Sequence, residues 1–162
     1  MSNRRQGKIA RVPDDESKEE RLDRELIELL NELRVALPGV QVLFAFLLGV
    51  PFTQRFDAAT DLQKDAYFFT FLCAAAATAL LIAPSAYHRL TWRQHDKEHL
   101  LNVSNRLAIA GTVLLAIAIA STVFVVTDLL FDTTAAGIIA GLTAGFYAWF
   151  WYGLPLLRRA RS

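Results

Sequence analysis

Three histidines near the middle of the chain have a spacing that could support metal binding or a response to pH. His95 and His99 lie four residues apart in the segment HDKEH, so on a helix both imidazoles would face the same way, as paired zinc ligands do. His88 would share that face but lie about 10 Å from His95 along a continuous helix, which is too far for one metal ion. A complete metal site would need a ligand from elsewhere, so we assign no metal ligands, and metal binding by this segment stays open. We treat His88, His95 and His99 as candidate pH-sensitive residues that are otherwise solvated.

Five carboxylates lie in or beside two short connections between apolar segments. They are Asp57, Asp61, Asp65, Asp128 and Asp132. Only Arg55 and Lys64 offset these five charges, so this face carries a net charge of −3, which would raise the local concentration of cations. We name the five as candidate cation-gathering residues. Asp132 also has the position of a helix N-cap, a structural role that would explain it without any ligand.

Polar side chains are rare inside the apolar segments, and four of them could line a path for a small cation. They are Gln41, Thr78, Ser121 and Thr122. Gln41 lies near the start of its segment, so a polar residue wetted by head-group water is the simpler interpretation there. The other three residues would lie at membrane depth.

Glycines repeat at every fourth position in the last apolar segment. Gly137, Gly141 and Gly145 would form a flat strip on one helix face, and membrane helices associate where small residues allow their backbones to approach closely. Ala75 and Ala79 offer a similar surface on the second segment. The pattern predicts helix packing, either within one chain or between subunits.

The sequence lacks the signatures of catalysis. It contains no phosphate-binding loop, nucleophile elbow or cofactor fingerprint. The apolar segments hold no Asp, Glu or His except Asp128 and His88 at their edges, although a proton-coupled transporter normally keeps such a group at membrane depth. We predict that the protein is not an enzyme, and that it binds no cofactor and no nucleic acid.

Four long segments without charge must position these residues. They run from Val35 to Gln54, Ala66 to His88, Leu107 to Thr127 and Thr133 to Leu157. A bilayer core of about 30 Å requires roughly 20 apolar residues in a helix, and each segment meets this length. The sequence therefore predicts an all-α membrane protein with four transmembrane helices, at about 38–54, 66–87, 107–127 and 133–157.

The region before the first span has two parts. Residues 1–13 are basic with little apolar content, which predicts a disordered tail. Residues 14–37 are predicted to form an amphipathic cytoplasmic helix with a leucine stripe at Leu22, Leu26, Leu29 and Leu33, ending in an elbow at Leu37-Pro38. From residue 14 to 34 the segment carries nine acidic residues against four basic ones, so a protein partner suits it better than a lipid surface. That partner could be another subunit, the cytoplasmic loop of the same chain or a different protein.

The distribution of Lys and Arg predicts the orientation. Of the seventeen basic residues, only Arg55 and Lys64 would lie outside if the N-terminus is cytoplasmic, and the basic tail at 158–162 would lie inside. Positive residues are enriched in cytoplasmic loops, so both termini are predicted to face the cytoplasm from the plasma membrane.

The string from Leu26 to Phe56, together with IAPSAYHRLTWR and the closing LPLLRR, resembles a family of small, uncharacterised actinobacterial membrane proteins. Some members of that family carry a sodium/proton antiporter label. The resemblance extends over nearly the whole chain after residue 13, and it implies a four-helix integral membrane protein. The resemblance does not assign a catalytic or ion-binding role to any residue of this chain.

Two functional hypotheses follow. In the first, the protein forms a homo-oligomer that acts as a small-cation channel or transport component, with the five aspartates gathering ions. In the second, it is a non-catalytic accessory or scaffolding membrane subunit that docks a protein partner through its acidic N-terminal helix. The lipid bilayer is a partner in both.

Overall fold

The computed structural model describes residues 18–90 and 97–159, and it is built from helices. The helices are α1 (Lys18–Gly49), α2 (Gln54–Asp57), α3 (Asp61–Leu90), α4 (Lys97–Leu130), α5 (Thr133–Ala148) and α6 (Leu154–Arg159). A 3-10 turn (Val50–Phe52) follows α1, and a π-helical turn (Trp149–Gly153) joins α5 to α6. Four helical stretches are long and apolar enough to cross a membrane, as the sequence predicted: Glu20–Phe52, Asp61–Leu90, Glu98–Leu130 and Thr133–Arg158. The predicted basic tail at 1–13 lies outside the described residues.

Helix α1 continues through Pro38, so the predicted elbow at Leu37-Pro38 is wrong. A proline inside a helix removes one backbone hydrogen bond and costs about 3 kcal/mol. Four residues offset this cost because they form one buried seam on both sides of the proline. They are Leu26, Leu33, Val40 and Leu47, each seven residues after the last and each at most 6% exposed. The predicted boundary between residues 37 and 38 is therefore not marked by a helix end.

A second proline ends α1, and a neighbouring helix satisfies the group that it leaves unpaired. Pro51 has no backbone N–H, so the carbonyl of Leu47, four residues earlier, lacks its helical donor. The Tyr67 hydroxyl donates to that carbonyl over 2.8 Å from α3. This buried bond fixes the end of α1 against the beginning of α3.

Helices α3 and α4 form the most extensive contact in the structure, and they run antiparallel. Small residues line this contact: Ala74 and Ala77 on α3, and Gly111 and Ala118 on α4, are all buried. A Cβ atom added to Gly111 would lie only 2.8 Å from the Cγ and Cδ2 atoms of Leu81, so a larger residue would force the Leu81 side chain to move. Ala75 and Ala79, predicted as the packing surface, lie off this seam, because Ala79 is exposed and Ala75 is half-buried.

Helix α5 lies at the edge of the bundle and packs mainly on α4. Its one buried residue is Ala136. The Thr112 and Tyr152 hydroxyls, 2.9 Å apart, link α4 to the π-helical turn after α5. Helices α1, α3 and α4 thus form a three-helix core, and α5 is an added edge helix.

The alternating helix directions give the bundle two ends. We call the end with the α1–α3 and α4–α5 connections the loop side. The opposite end, which carries Lys18 and Lys97, is the terminal side.

Candidate functional site

On the loop side, Asp128 is held by a glutamine of α3. The Gln63 Nε2 atom donates to Asp128 Oδ2 over 2.8 Å and approaches the Asp128 carbonyl at 3.4 Å. Gln63 also forms a reciprocal cap with Thr60: the Thr60 N–H donates to Gln63 Oε1, and the Gln63 N–H donates to Thr60 Oγ1. The Gln63 carboxamide therefore caps the beginning of α3 and also binds the end of α4. Asp128, which is 9% exposed, belongs to this contact between the two helices.

Asp132 is the N-cap that the sequence predicted. Its Oδ1 atom accepts from the Thr134 N–H at 2.9 Å and from the Ala135 N–H at 3.0 Å, so it satisfies two donors of the first turn of α5. Asp57, Asp61 and Asp65 are exposed. Within residues 18–90 and 97–159, no three His, Cys, Asp or Glu side chains form a group that could hold a metal ion. The role of the five aspartates in gathering cations stays a prediction.

The four residues of the predicted polar path lie on three helices. Gln41 is exposed on α1, and Ser121 is half-buried on α4. The Thr78 hydroxyl donates to the Ala74 carbonyl at 2.8 Å, and the Thr122 hydroxyl donates to the Ala118 carbonyl at 2.7 Å, so both protons are used within their own helices. Thr122 lines a groove on the loop side, and the other three residues do not. A single chain therefore does not bring the four together there.

The predicted histidine group is only partly described. His88 is half-buried near the end of α3, and His99 is exposed near the beginning of α4. Both take part in interactions with neighbouring groups. His95 lies outside the described residues, so a shared pH response of the three remains a prediction.

The glycine strip of α5 has no neighbour among residues 18–90 and 97–159. Gly137, Gly141 and Gly145 are exposed, and an added Cβ at any of them would meet nothing within 4 Å. Gly111, which packs against a neighbouring helix, belongs to no glycine motif in the sequence. The helix-packing surface predicted on α5 is therefore open to a second molecule or to lipid.

On the terminal side, α1 and α4 extend beyond the apolar segments and pack against each other. The Lys18 Nζ atom lies 2.7 Å from Glu98 Oε2, and this hydrogen bond and charge raise the pKa of Lys18 above its ordinary 10.5. Leu26 and Leu33 are buried, and Leu33 packs in one cluster with Leu81 and Leu115. Leu33 therefore packs on the second and third spans of the same chain. Whether another subunit, the cytoplasmic loop or a different protein contacts the rest of the stripe stays a prediction.

The same pair of helices forms a groove, which we call the acidic groove. Its walls are Glu25, Glu28, Leu29 and Glu32 of α1, and Leu101, Asn102 and Asn105 of α4, around a volume of about 360 Å³. The Arg21 Nε atom bonds to Glu25 Oε1 at 2.9 Å. In the described part of the chain, Glu28 and Glu32 have no hydrogen bond or ion pair from their side chains. Two uncompensated carboxylates thus face solvent beside two carboxamides.

A second cavity, which we call the loop-side groove, has the opposite character. It has a volume of about 390 Å³ and lies among α1, α3 and α4. Its lining includes Phe46, Tyr67, Thr70, Thr122, Val126 and Leu129. The structure thus offers a charged groove at one end and an apolar one towards the other.

Comparison with known proteins identifies a family but no characterised relative. A family model described as a family of unknown function (DUF6328) matches residues 15–155. No match was found among curated proteins or among solved structures. The chain therefore belongs to the DUF6328 family, which is uncharacterised as the resemblance implied.

Proposed function

We propose that this member of the DUF6328 family is a non-catalytic accessory subunit of the plasma membrane that docks a basic segment of a partner protein in its acidic groove. The observation that carries this proposal is the continuity of α1 from Lys18 to Gly49. Its apolar seam is filled by the chain itself, and its acidic face is left open. A helix of this form supports a docking surface at a fixed height above the membrane.

Membrane placement rests on the four apolar helices. The connections on the loop side carry Arg55 and Lys64. In the sequence, the other fifteen of the seventeen basic residues come before residue 35, between 89 and 106 or after 157, so both termini face the cytoplasm in this proposal. The acidic groove is then cytoplasmic. Its acidic character disfavours contact with an anionic lipid surface and favours a protein partner.

The groove chemistry supports a basic partner. Glu28 and Glu32 are exposed carboxylates without a compensating cation in the described residues. An Arg or Lys side chain entering the groove could bond to either carboxylate, while the carboxamides of Asn102 and Asn105 could bond to the backbone of the same segment. Complementary charge of this kind increases the rate of association and the specificity more than it increases the affinity.

Self-association is the second part of the proposal. The open strip of Gly137, Gly141 and Gly145 has the small-residue pattern through which membrane helices pair. We expect a second copy to pack on α5 there. Substitution of Gly141 by Val should then shift the protein from dimer to monomer in detergent, as measured by native mass spectrometry.

An in-cell cross-linking experiment tests the docking role. A photo-activated cross-linker at Asn105 should capture one partner through a segment rich in Lys or Arg. The Glu28→Gln/Glu32→Gln variant should lose this product, since it removes both free carboxylates but keeps the shape of the side chains. The Asp57→Asn/Asp61→Asn variant makes the same change of charge on the loop side and should keep the product.

Cation transport is tested with the same two variants. The docking role predicts no cation flux into vesicles that contain only the purified protein. Flux that disappears in Asp57→Asn/Asp61→Asn but persists in Glu28→Gln/Glu32→Gln would replace the docking proposal with the channel hypothesis. A cross-linked product that is unchanged in Glu28→Gln/Glu32→Gln would also reject the acidic groove as the docking surface.

A further inference from the structure

We propose that the loop-side groove binds one acyl chain of a phospholipid from the surrounding bilayer. This inference rests on the proposed membrane placement of the four helices. It is independent of the docking role of the acidic groove.

The lining of the groove comes from α1, α3 and α4 and from the turn that follows α1. Tyr67 and Thr70 of α3 form the floor, and both are buried. The rim consists of Phe46 on α1, with Val126 and Leu129 on α4, and these side chains are 61%, 42% and 37% exposed. The groove therefore opens sideways between α1 and α4, on apolar spans where a lipid chain is the surrounding medium.

The hydroxyl groups of the lining are already committed to the protein. Tyr67 donates to the Leu47 carbonyl at 2.8 Å. Thr70 donates to the Ala66 carbonyl at 2.7 Å, and Thr122 donates to the Ala118 carbonyl at 2.7 Å. An occupant beside these residues consequently meets methyl groups and aromatic carbons, and none of the three hydroxyl protons is left to donate to it. This chemistry suits a hydrocarbon chain.

The size agrees with one chain. A cavity of about 150 Å³ is enough to bind benzene, so by simple proportion the groove of 390 Å³ would hold on the order of fifteen carbon atoms. That is the length of one fatty acyl chain. Two chains side by side would not fit.

The polar end of the groove favours an amphiphile over a plain hydrocarbon. Thr53 and Gln54 line the groove where α1 has ended on the loop side. The Thr53 hydroxyl donates to the Val50 carbonyl at 2.8 Å. The Gln54 side chain is exposed and makes no hydrogen bond within the described residues, so its amide can donate to an ester or phosphate oxygen of a head group.

Photo-cross-linking from the lipid tests this inference. The full chain is placed in vesicles of phosphatidylcholine and phosphatidylglycerol that contain a trace of phosphatidylcholine with a diazirine in the middle of one acyl chain. We expect cross-links to be several-fold enriched on peptides with Phe46 and Val126, compared with those with Ile139 and Phe146 of α5. The two α5 residues are exposed by 42% and 59% and lie on the helix face away from the glycine strip, so they report ordinary contact with lipid.

A filling substitution provides the matched comparison. Val126→Trp should remove the enrichment at Phe46, because the indole occupies the groove. Val113→Trp, made on the same helix at a residue with similar exposure, should leave it unchanged. Equal labelling of the groove and of α5 in the natural protein would overturn the inference, whether or not the variants fold. Absence of labelling on both would instead reject the membrane placement.

Discussion

Helices α1 and α5 both flank the α3–α4 pair, and they differ in how much of their surface the chain uses. Helix α1 is charged over its first half and contains a proline, yet it stays continuous and buries Leu26, Leu33, Val40 and Leu47. Helix α5 has no charged residue and carries a glycine strip, yet it buries only Ala136. Its helix changes to π geometry at Trp149–Gly153, just before Pro155.

This difference shows that a continuous seam of buried contacts, more than a local sequence motif, determines how a helix packs in this bundle. The proline in α1 is tolerated because buried residues occur on the same face before and after it. The glycine strip of α5 meets no partner helix in the described part of the chain. Substitutions in the two helices can therefore test whether packing distinguishes them.

The largest effect is expected from shortening a seam leucine. Leu33→Ala removes a side chain that is 5% exposed and leaves a cavity beside Leu81, which should cost about 2–5 kcal/mol of unfolding free energy. Leu142→Ala on α5 changes a residue that is 70% exposed and should cost far less. Thermal unfolding of both variants in the same detergent measures the difference. Equal losses would contradict the comparison.

A slightly smaller effect is expected from filling a glycine. Gly111→Val would press against Leu81, whose atoms lie 2.8 Å from the position that the new Cβ would occupy, and overpacking of this kind costs about 1–3 kcal/mol. Gly141→Val adds the same atoms where nothing lies within 4 Å, so the folded monomer should lose no stability. The two unfolding midpoints give the test, and a larger loss for Gly141→Val would reverse the assignment of the packed face.

The bond between Tyr67 and Leu47 should contribute about 1–2 kcal/mol, since Tyr67→Phe leaves a buried carbonyl unpaired. Pro51→Ala would supply the missing backbone N–H. Pro51→Ala should therefore raise the unfolding free energy more when it is added to Tyr67→Phe than when it is made in the natural protein. Additive effects in this double-mutant cycle would show that Tyr67 does not compensate for Pro51.

The smallest effect is expected at the beginning of α5. Asp132→Ala removes the cap on Thr134 and Ala135 and should cost about 1 kcal/mol. Because α5 is an edge helix, hydrogen exchange should rise in its first turn and stay unchanged in α3. Asp132→Asn keeps an acceptor oxygen and should restore most of the protection. Faster exchange throughout α3 would show that α5 belongs to the central bundle.

Several features could be predicted from the sequence because they depend on local chemistry. The four apolar helices follow from gaps between charged residues, and the cap at Asp132 follows from its position before an apolar run. The reciprocal cap of Thr60 and Gln63 was also visible as a Thr followed three residues later by Gln, but it was missed among the charged residues of the loop.

Other features depend on which helix lies opposite. Pro38 predicts an elbow when only its neighbours in sequence are considered, and the continuous seam becomes evident only when α3 and α4 are placed beside it. Gly111 has no motif, and its importance comes from the approach of Leu81. Likewise, Asp128 resembles the other loop-side aspartates in sequence, and its bond to Gln63 requires the antiparallel pairing of α3 and α4.

The continuity of α1 is measured most directly by a distance across Pro38. Spin labels on Glu28→Cys and Leu48→Cys, both exposed positions, can be placed in a Cys73→Ala background that removes the natural thiol. Twenty residues of straight helix separate the two backbones by about 30 Å, so a narrow distribution near this value is expected in vesicles. A right-angled elbow at Pro38 would shorten the separation to about 21 Å. That result, or a broad distribution, would contradict the single rigid helix on which the acidic groove depends.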